Sequence, residues 1–295
     1  MRRLHRYRWR LMTVCLSATI VALAVWVAKG DNPDDHLPTP PEVGTISHPP
    51  IREASGWVKS RRFDDVYWTL SDSGNPAHLY ALERTGKLIA EFAVKGAPNI
   101  DWEALTQDDA GHLFIGDVGN NGIPFYLSRR QIYEVDEPDP RVPFEPTKEQ
   151  PRRALAVRHK YDFGFPKKPF DIEGIFWHDQ QLYLVSKTRR DQAGLYRLKL
   201  EEPAATELEF VCPVPGLEYV TGASLSNDGR RLALCSYRYA AVYALPATGD
   251  RWQLDKLEPR VMRFGPTAIE DCCWNGNELL MVSEDRTIYA LDVKE

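Results

Sequence analysis

Between Ile51 and Glu295 no stretch combines the 3.6-residue apolar period with end caps, so helical architectures are excluded for most of the chain. The short signatures of common enzyme classes are missing too. There is no Gly-x-Ser-x-Gly elbow, no His-Glu-x-x-His zinc pair and no phosphate-cradling loop ending in Gly-Lys-Ser/Thr. Histidine is sparse: beyond residue 30, His112 and His178 fall in turn-like segments and His36 and His48 near the Pro-rich start, which gives a histidine base little support. Cysteine is scarcer still. Cys212, Cys235, Cys272 and Cys273 each sit in a strand-like apolar run and read as small buried hydrophobes, although an oxidising compartment would allow a disulfide. Basic charge is also short. Residues 1–30 hold six Lys/Arg and no acid, so the remainder carries 31 basic against 42 acidic residues, a net of −11. That balance excludes a nucleic-acid partner and suits cations.

The first thirty residues are a case apart. Five arginines between Arg2 and Arg10 precede Leu11 to Ala28, eighteen residues without a charge. As a helix that run is about 27 Å long, close to a bilayer core. The flanking arginines keep the N-terminus cytoplasmic and send the rest across the membrane. An uncleaved anchor is preferred to a cleaved signal, because Ala22-Leu23-Ala24 lies inside the apolar run and a cut after Ala28 would put Trp26 where a small residue is needed. Cys15 follows Val14, which argues against lipidation there. This places the protein in the bacterial cell membrane, with the rest facing the periplasm or exterior; cleavage would release it to the periplasm. Residues 31–42 open a proline-rich tether, and 43–295 form the folded domain.

Three columns then repeat five times in one order. The first is a polar residue followed by a short one: Ser55-Gly56, Glu103-Ala104, Glu173-Gly174, Thr221-Gly222 and Glu270-Asp271. The second, closing a strand, is Ser71, Asp117, Ser186, Ser236 and Ser283. The third is aliphatic-Tyr-x-aliphatic around Tyr80, Tyr133, Tyr196, Tyr243 and Tyr289, whose tyrosines read as packing residues. First-column spacings are 48, 70, 48 and 49, the long one explained by a Pro- and charge-rich insertion over 136–152. Asn-, Asp- and Gly-bearing turns link the strands.

Units of about 48 residues with four short strands fit propeller blades. The expected fold is an all-β propeller of five four-stranded blades, or six if the insertion hides one. The last unit stops one strand short, and residues before Ser55 supply it. Leu88–Val94 and Arg153–Tyr161 are expected as outer strands of the first two blades.

A charged residue opening a buried strand needs a reason. In a propeller, innermost strands flank the axial channel, so Glu103, Glu173 and Glu270 would converge with Ser55 and Thr221 at one mouth. Carboxylates about 5 Å apart repel by roughly 3 kcal/mol at an effective dielectric near 20, and a proton, a cation or a basic side chain would relieve them. Lys187 is the internal candidate. Asp72, Asp117 and Glu284 add acid at neighbouring strand ends, and Asn120 and Asn121 add neutral oxygens. An all-oxygen set suits calcium, or magnesium with retained waters, over zinc. The expected metal ligands are Glu103, Glu173, Glu270 and Asp117. Ser55, Asp72, Asn120, Asn121, Lys187 and Thr221 are the expected ligand-binding residues.

The ordered set DWEAL (Asp101 to Leu105), IEGIFW with LYLVSK, TGASLS with LALCS, and IEDCCW with LLMVSED resembles the SdiA-regulated family of bacterial proteins. That resemblance covers most of Ser55 to Glu295. It implies a membrane segment joined to an exported propeller, with no defined biochemistry. The pattern of a glutamate at the strand start is more distantly similar to phytase-like and gluconolactonase-type propellers, which implies a divalent metal used in hydrolysis. Ser55 and Thr221 depart from that pattern.

Three functions follow. The first is a non-enzymatic propeller binding a small-molecule or protein ligand at its channel mouth with calcium. The second is a metal-dependent hydrolase of a phosphoester or lactone, with Asp117 or Glu284 as base. The third is a scaffold working through blade edges or the 136–152 insertion.

Overall fold

A computed structural model describes residues 33–120, 129–148, 150, 152–189, 193–200 and 207–294. The membrane segment expected over residues 1–30 and Asn121 lie outside them. Among the described residues no helix is long and apolar enough to cross a membrane, and helix is limited to short 3-10 turns at Pro33–His36 and Leu254–Lys256.

Five sheets, antiparallel except for one added strand, form the blades. Their innermost strands are Ala54–Lys59, Trp102–Gln107, Asp171–His178, Val220–Leu225 and Ile269–Asn275, taken as blades 1 to 5. These strands neighbour one another around an axis, and the fifth returns to the first. The chain is therefore a five-bladed β-propeller, with no sixth blade in the insertion. Five apolar layers, one between each pair of adjacent blades, make up the core. The Tyr column lies in or beside them: Tyr80, Tyr133, Tyr243 and Tyr289 are buried, and Tyr196 is half-buried between Phe170 and Phe210.

The ring closes as the missing last strand requires. Glu42–Thr45 pairs antiparallel with Thr287–Asp292, with Glu42 opposite Tyr289 and Thr45 opposite Thr287, and becomes the outer strand of blade 5. Gly44 fits there because a Cβ would fall 2.5 Å from the Thr85 carbonyl oxygen. The segment before it is docked and does not hang free as a tether. Asp35 pairs with Arg238, Asp34 with Arg263 at 3.3 Å, and Pro38 and Pro41 accept from Gly265 and Ala290.

The expected outer strand Arg153–Tyr161 is two strands. Arg153–Ala156 pairs parallel with Leu88–Lys95 as a fifth strand of blade 1, and His159–Gly164 is the outer strand of blade 2. The insertion between them and Asp136 lies on blade 1. Glu137 accepts the Trp68 indole N–H at 2.7 Å, and Arg141 reaches the Asp64 carbonyl. A parallel pairing leaves no hairpin turn in the sequence, which is why it was not legible there.

Candidate functional site

The acids enter the channel through a backbone irregularity. Pairing of the inner strand with its neighbour slips between Trp102 and Ala104, Ile172 and Gly174, Val220 and Gly222, and Ile269 and Asp271. The residues left over are Glu103, Glu173, Thr221 and Glu270. In blade 1 the slip comes one residue later, at Gly56, whose φ of +70° suits glycine. A bulge bends its strand and re-aims the extra side chain. A polar residue is thereby withdrawn from the apolar layer between blades, which is the physical reason for the first column.

Glu103 and Glu173 are buried, and Glu270 is half-buried. They share one electrostatic environment. Burial raises Glu103 well above the ordinary carboxylate range, and Glu173, Asp72 and Asp101 raise it further. Burial lifts Glu173 to about 8, with Lys187 opposing and Asp171 and Asp72 adding. Burial also lifts Glu270, with Glu173 adding, Lys187 opposing and Glu284 adding. Groups coupled in this way take up protons as a set.

Lys187 is the internal counter-charge. Its Nζ lies 2.5 Å from Glu173 Oε1 and 5.1 Å from the centre of the Tyr237 ring. Against the desolvation that burial imposes, Glu173, Tyr237 and Glu270 hold the ammonium well above its usual range. Arg130 adds a second positive charge near Asp101, Asp117 and Asp171, and among the described residues the acids still outnumber the cations.

Sequence reasoning missed Asp101. One carboxylate oxygen from each of Asp72, Asp101 and Glu103 lies within 4.8 Å of the others. Asp101 is held at this corner from both sides. Its N–H donates to Asp117 Oδ1 at 2.7 Å, and its carbonyl accepts from Val118 and Gly119 at 3.1 Å. At Gly119 a Cβ would fall 2.5 Å from Asp101 Oδ2 and 2.7 Å from Glu103 Cγ, so the loop can lie against both acids only as glycine. Its signal in the sequence was weak: Asp101 opens the DWEAL motif, two residues before Glu103, but precedes the strand.

The other expected residues are placed differently. Asp117 accepts the Gln131 amide at 2.6 Å besides the Asp101 N–H, so both oxygens are engaged within blade 2; burial raises its carboxyl while these donors oppose the rise. The Ser55 hydroxyl donates to the Glu103 carbonyl and that of Thr221 to the Ile269 carbonyl, each at 2.8 Å, joining neighbouring inner strands. The Asn120 N–H donates to Asp171 at 2.9 Å, and its side-chain oxygen accepts from Arg130 at 2.6 Å. Glu284 is at the exposed rim, where partial desolvation, then Glu53 and Asp72, raise its carboxyl.

The four described cysteines are buried free thiols. Cys235, Cys272 and Asp271 also place one ligand-type atom each within 4.8 Å of the others. Asp271 is already committed, because its carboxylate accepts the N–H groups of Trp57 at 2.6 Å and Cys272 at 2.7 Å, and also that of Ala223. It therefore ties the inner strands of blades 1, 4 and 5 together.

No family model matches the chain, and no curated protein does. Solved structures similar to it include the aldose sugar dehydrogenase of Streptomyces coelicolor in its PQQ-bound form, at 12% identity over 87% of this chain and 83% of that one, with a TM-score of 0.48. XC5397 of Xanthomonas campestris, described as a gluconolactonase, is 10% identical over 90% and 99%, TM-score 0.47. A chain of a nidogen/laminin complex is 13% identical over 82% and 77%, TM-score 0.46. None of these likenesses bears on the chemistry of the mouth.

Proposed function

We propose that this protein is an exported, membrane-tethered propeller that binds a divalent cation, calcium by its chemistry, at the acidic mouth of its channel and recognises a ligand or partner there. One observation carries the reading: the mutual approach of Asp72, Asp101 and Glu103 oxygens to within 4.8 Å. Two oxygens each about 2.4 Å from one calcium ion are at most about 4.8 Å apart, so this spacing is compatible with a shared ion. The donor set is all oxygen, which disfavours zinc and copper. The ligand set proposed here replaces Asp117 with Asp72 and Asp101, whose carboxylate oxygens approach that of Glu103. Glu173, paired with Lys187, and Glu270 would then face whatever binds above the ion, supplying polar contacts of both signs.

The experiment is thermal melting of the purified domain before and after chelation. A cation specific to the folded state stabilises it by mass action, about 2.7 kcal/mol at a hundredfold excess over Kd. Chelation should lower Tm and calcium should restore it. An unchanged Tm argues against the ion.

A metal-dependent hydrolase of a phosphoester or lactone is the second reading, favoured by the protonatable Glu173 and Glu270 beside that carboxylate group. A bound ion would polarise a substrate oxygen and lower the pKa of its water. Turnover of activated phosphoesters or lactones that is lost in Glu173→Gln with the fold retained would support it. A clean negative in both substrate classes would leave the binding role.

A further inference from the structure

The opposite end of the channel carries different chemistry. There, turns at the far ends of the inner strands surround a cavity of about 180 Å³, walled in part by Arg61, Asp109, Trp177, His178, Asp228 and Arg251. Three of its four charged groups have polar partners in the protein, Asp228 through Oδ1 alone. Arg61 is ion-paired with Asp109. Asp228 accepts the Ser226 hydroxyl at 2.6 Å and the Arg230 N–H at 3.1 Å, which hold its carboxyl below the usual range.

Arg251 differs. Its guanidinium reaches the Gly229 carbonyl at 3.3 Å and His178 Nε2 at 3.4 Å, and among the described residues no carboxylate lies within ion-pair distance of it. Burial, then Arg251 itself, lowers His178, so at neutral pH the imidazole is uncharged and leaves the guanidinium charge unanswered. A guanidinium offers five N–H groups in a planar fork that matches carboxylate or phosphate oxygens. Both contacts of Arg251 are made by Nη1, and the residue lines the cavity.

The remaining walls narrow the ligand. Trp177 is half-buried and stacked on Phe114 at 5.4 Å and 14°, which fixes its ring as a flat side. Asp228, kept ionised, accepts further hydrogen bonds and favours a ligand that also carries donors. A cavity of about 150 Å³ holds one benzene ring, so this one has room for about a single ring. We propose that this cavity binds a small organic oxyanion bearing hydroxyl or amino groups, with Arg251 holding its carboxylate or phosphate and Asp228 its donors. The site is independent of the acidic mouth.

The test is calorimetric titration of the full chain with D-glucuronate, L-serine and O-phosphoserine, each bearing an oxyanion, and with D-glucose, which has the glucuronate ring without the carboxylate. At least one anion should bind, and D-glucose at least tenfold more weakly. Arg251→Gln should weaken the anion at least tenfold with Tm unchanged, and Arg251→Lys should weaken it less. Absence of binding by all three anions, equal binding of D-glucose, or full affinity in Arg251→Gln overturns the proposal.

Discussion

Lys187 Nζ and Glu173 Oε1 lie 2.5 Å apart across the first two strands of blade 3, an ion pair set among further carboxylates. The bulge that leaves Glu173 unpaired in the ladder is what puts it there. Removing one partner of a buried pair costs about 3–5 kcal/mol because the other is stranded. Here the stranded carboxyl can take a proton. Lys187→Met should therefore cost little at pH 5 and more at pH 9, above the value to which Glu173 is lifted. Lys187→Met with Glu173→Gln should recover most of the loss. Denaturant unfolding of both variants checks this, and equal destabilisation at the two pH values would contradict it.

The raised carboxyls fix a sign for pH dependence. In the unfolded chain a glutamate titrates near 4.3, whereas in the fold Glu173 is lifted to about 8, and Glu103 and Glu270 also move upward. Between these values the folded state holds more protons, so its stability is greatest below the unfolded pKa and declines as pH rises through the folded one. Without divalent metal, Tm should fall from pH 5 to pH 8. With calcium the fall should flatten, because the ion takes the place of protons. A metal-free Tm that rises over this range would count against the coupled mouth.

Asp271 should be the most sensitive structural acid. Its carboxylate accepts N–H groups from three blades, and an unsatisfied buried donor costs about 1–3 kcal/mol. Asp271→Ala should lose about 3 kcal/mol or more, and Asp271→Asn less, by urea unfolding. Gly222→Ala should be comparably severe, since its Cβ would fall 2.1 Å from Asp271 Oδ1 and 2.7 Å from Asp271 Cα.

Ring closure by Glu42–Thr45 predicts a second structural effect. Gly44→Ala places a methyl against the Thr85 carbonyl and should cost about 1–3 kcal/mol, the usual range for overpacking. Deleting residues up to Thr45 should cost more, because it also exposes the edge of Thr287–Asp292 to pairing with other chains. Melting and light scattering report the two effects. A deletion with unchanged Tm would show that closure contributes little.

Most of the fold was legible because each blade repeats the same apolar alternation, and repetition averages out local ambiguity. The five first-column residues, the second-column strand ends and the closing strand could all be read from spacing. What could not be read were pairings without a turn signal, such as Arg153–Ala156 on Leu88–Lys95. At the site, Glu103 and Glu173 were visible as charges interrupting apolar strands. Asp101 was hidden because it precedes its strand, where an acid is unremarkable. Asp117 looked equivalent to the other acids, but in the fold the Asp101 N–H and Gln131 already occupy it. Arg251 lay in a loop with no periodic neighbour to mark it.

The central claim is that Asp72, Asp101 and Glu103 hold one divalent cation. Calorimetric titration of calcium into the metal-free domain, for the wild type and for Asp101→Asn, tests it most directly. The account predicts one ion per chain, bound more tightly at pH 8 than at pH 6 with proton release, and at least tenfold weaker in Asp101→Asn. Equal calcium binding by wild type and Asp101→Asn, or no binding by the wild type at either pH, would contradict it.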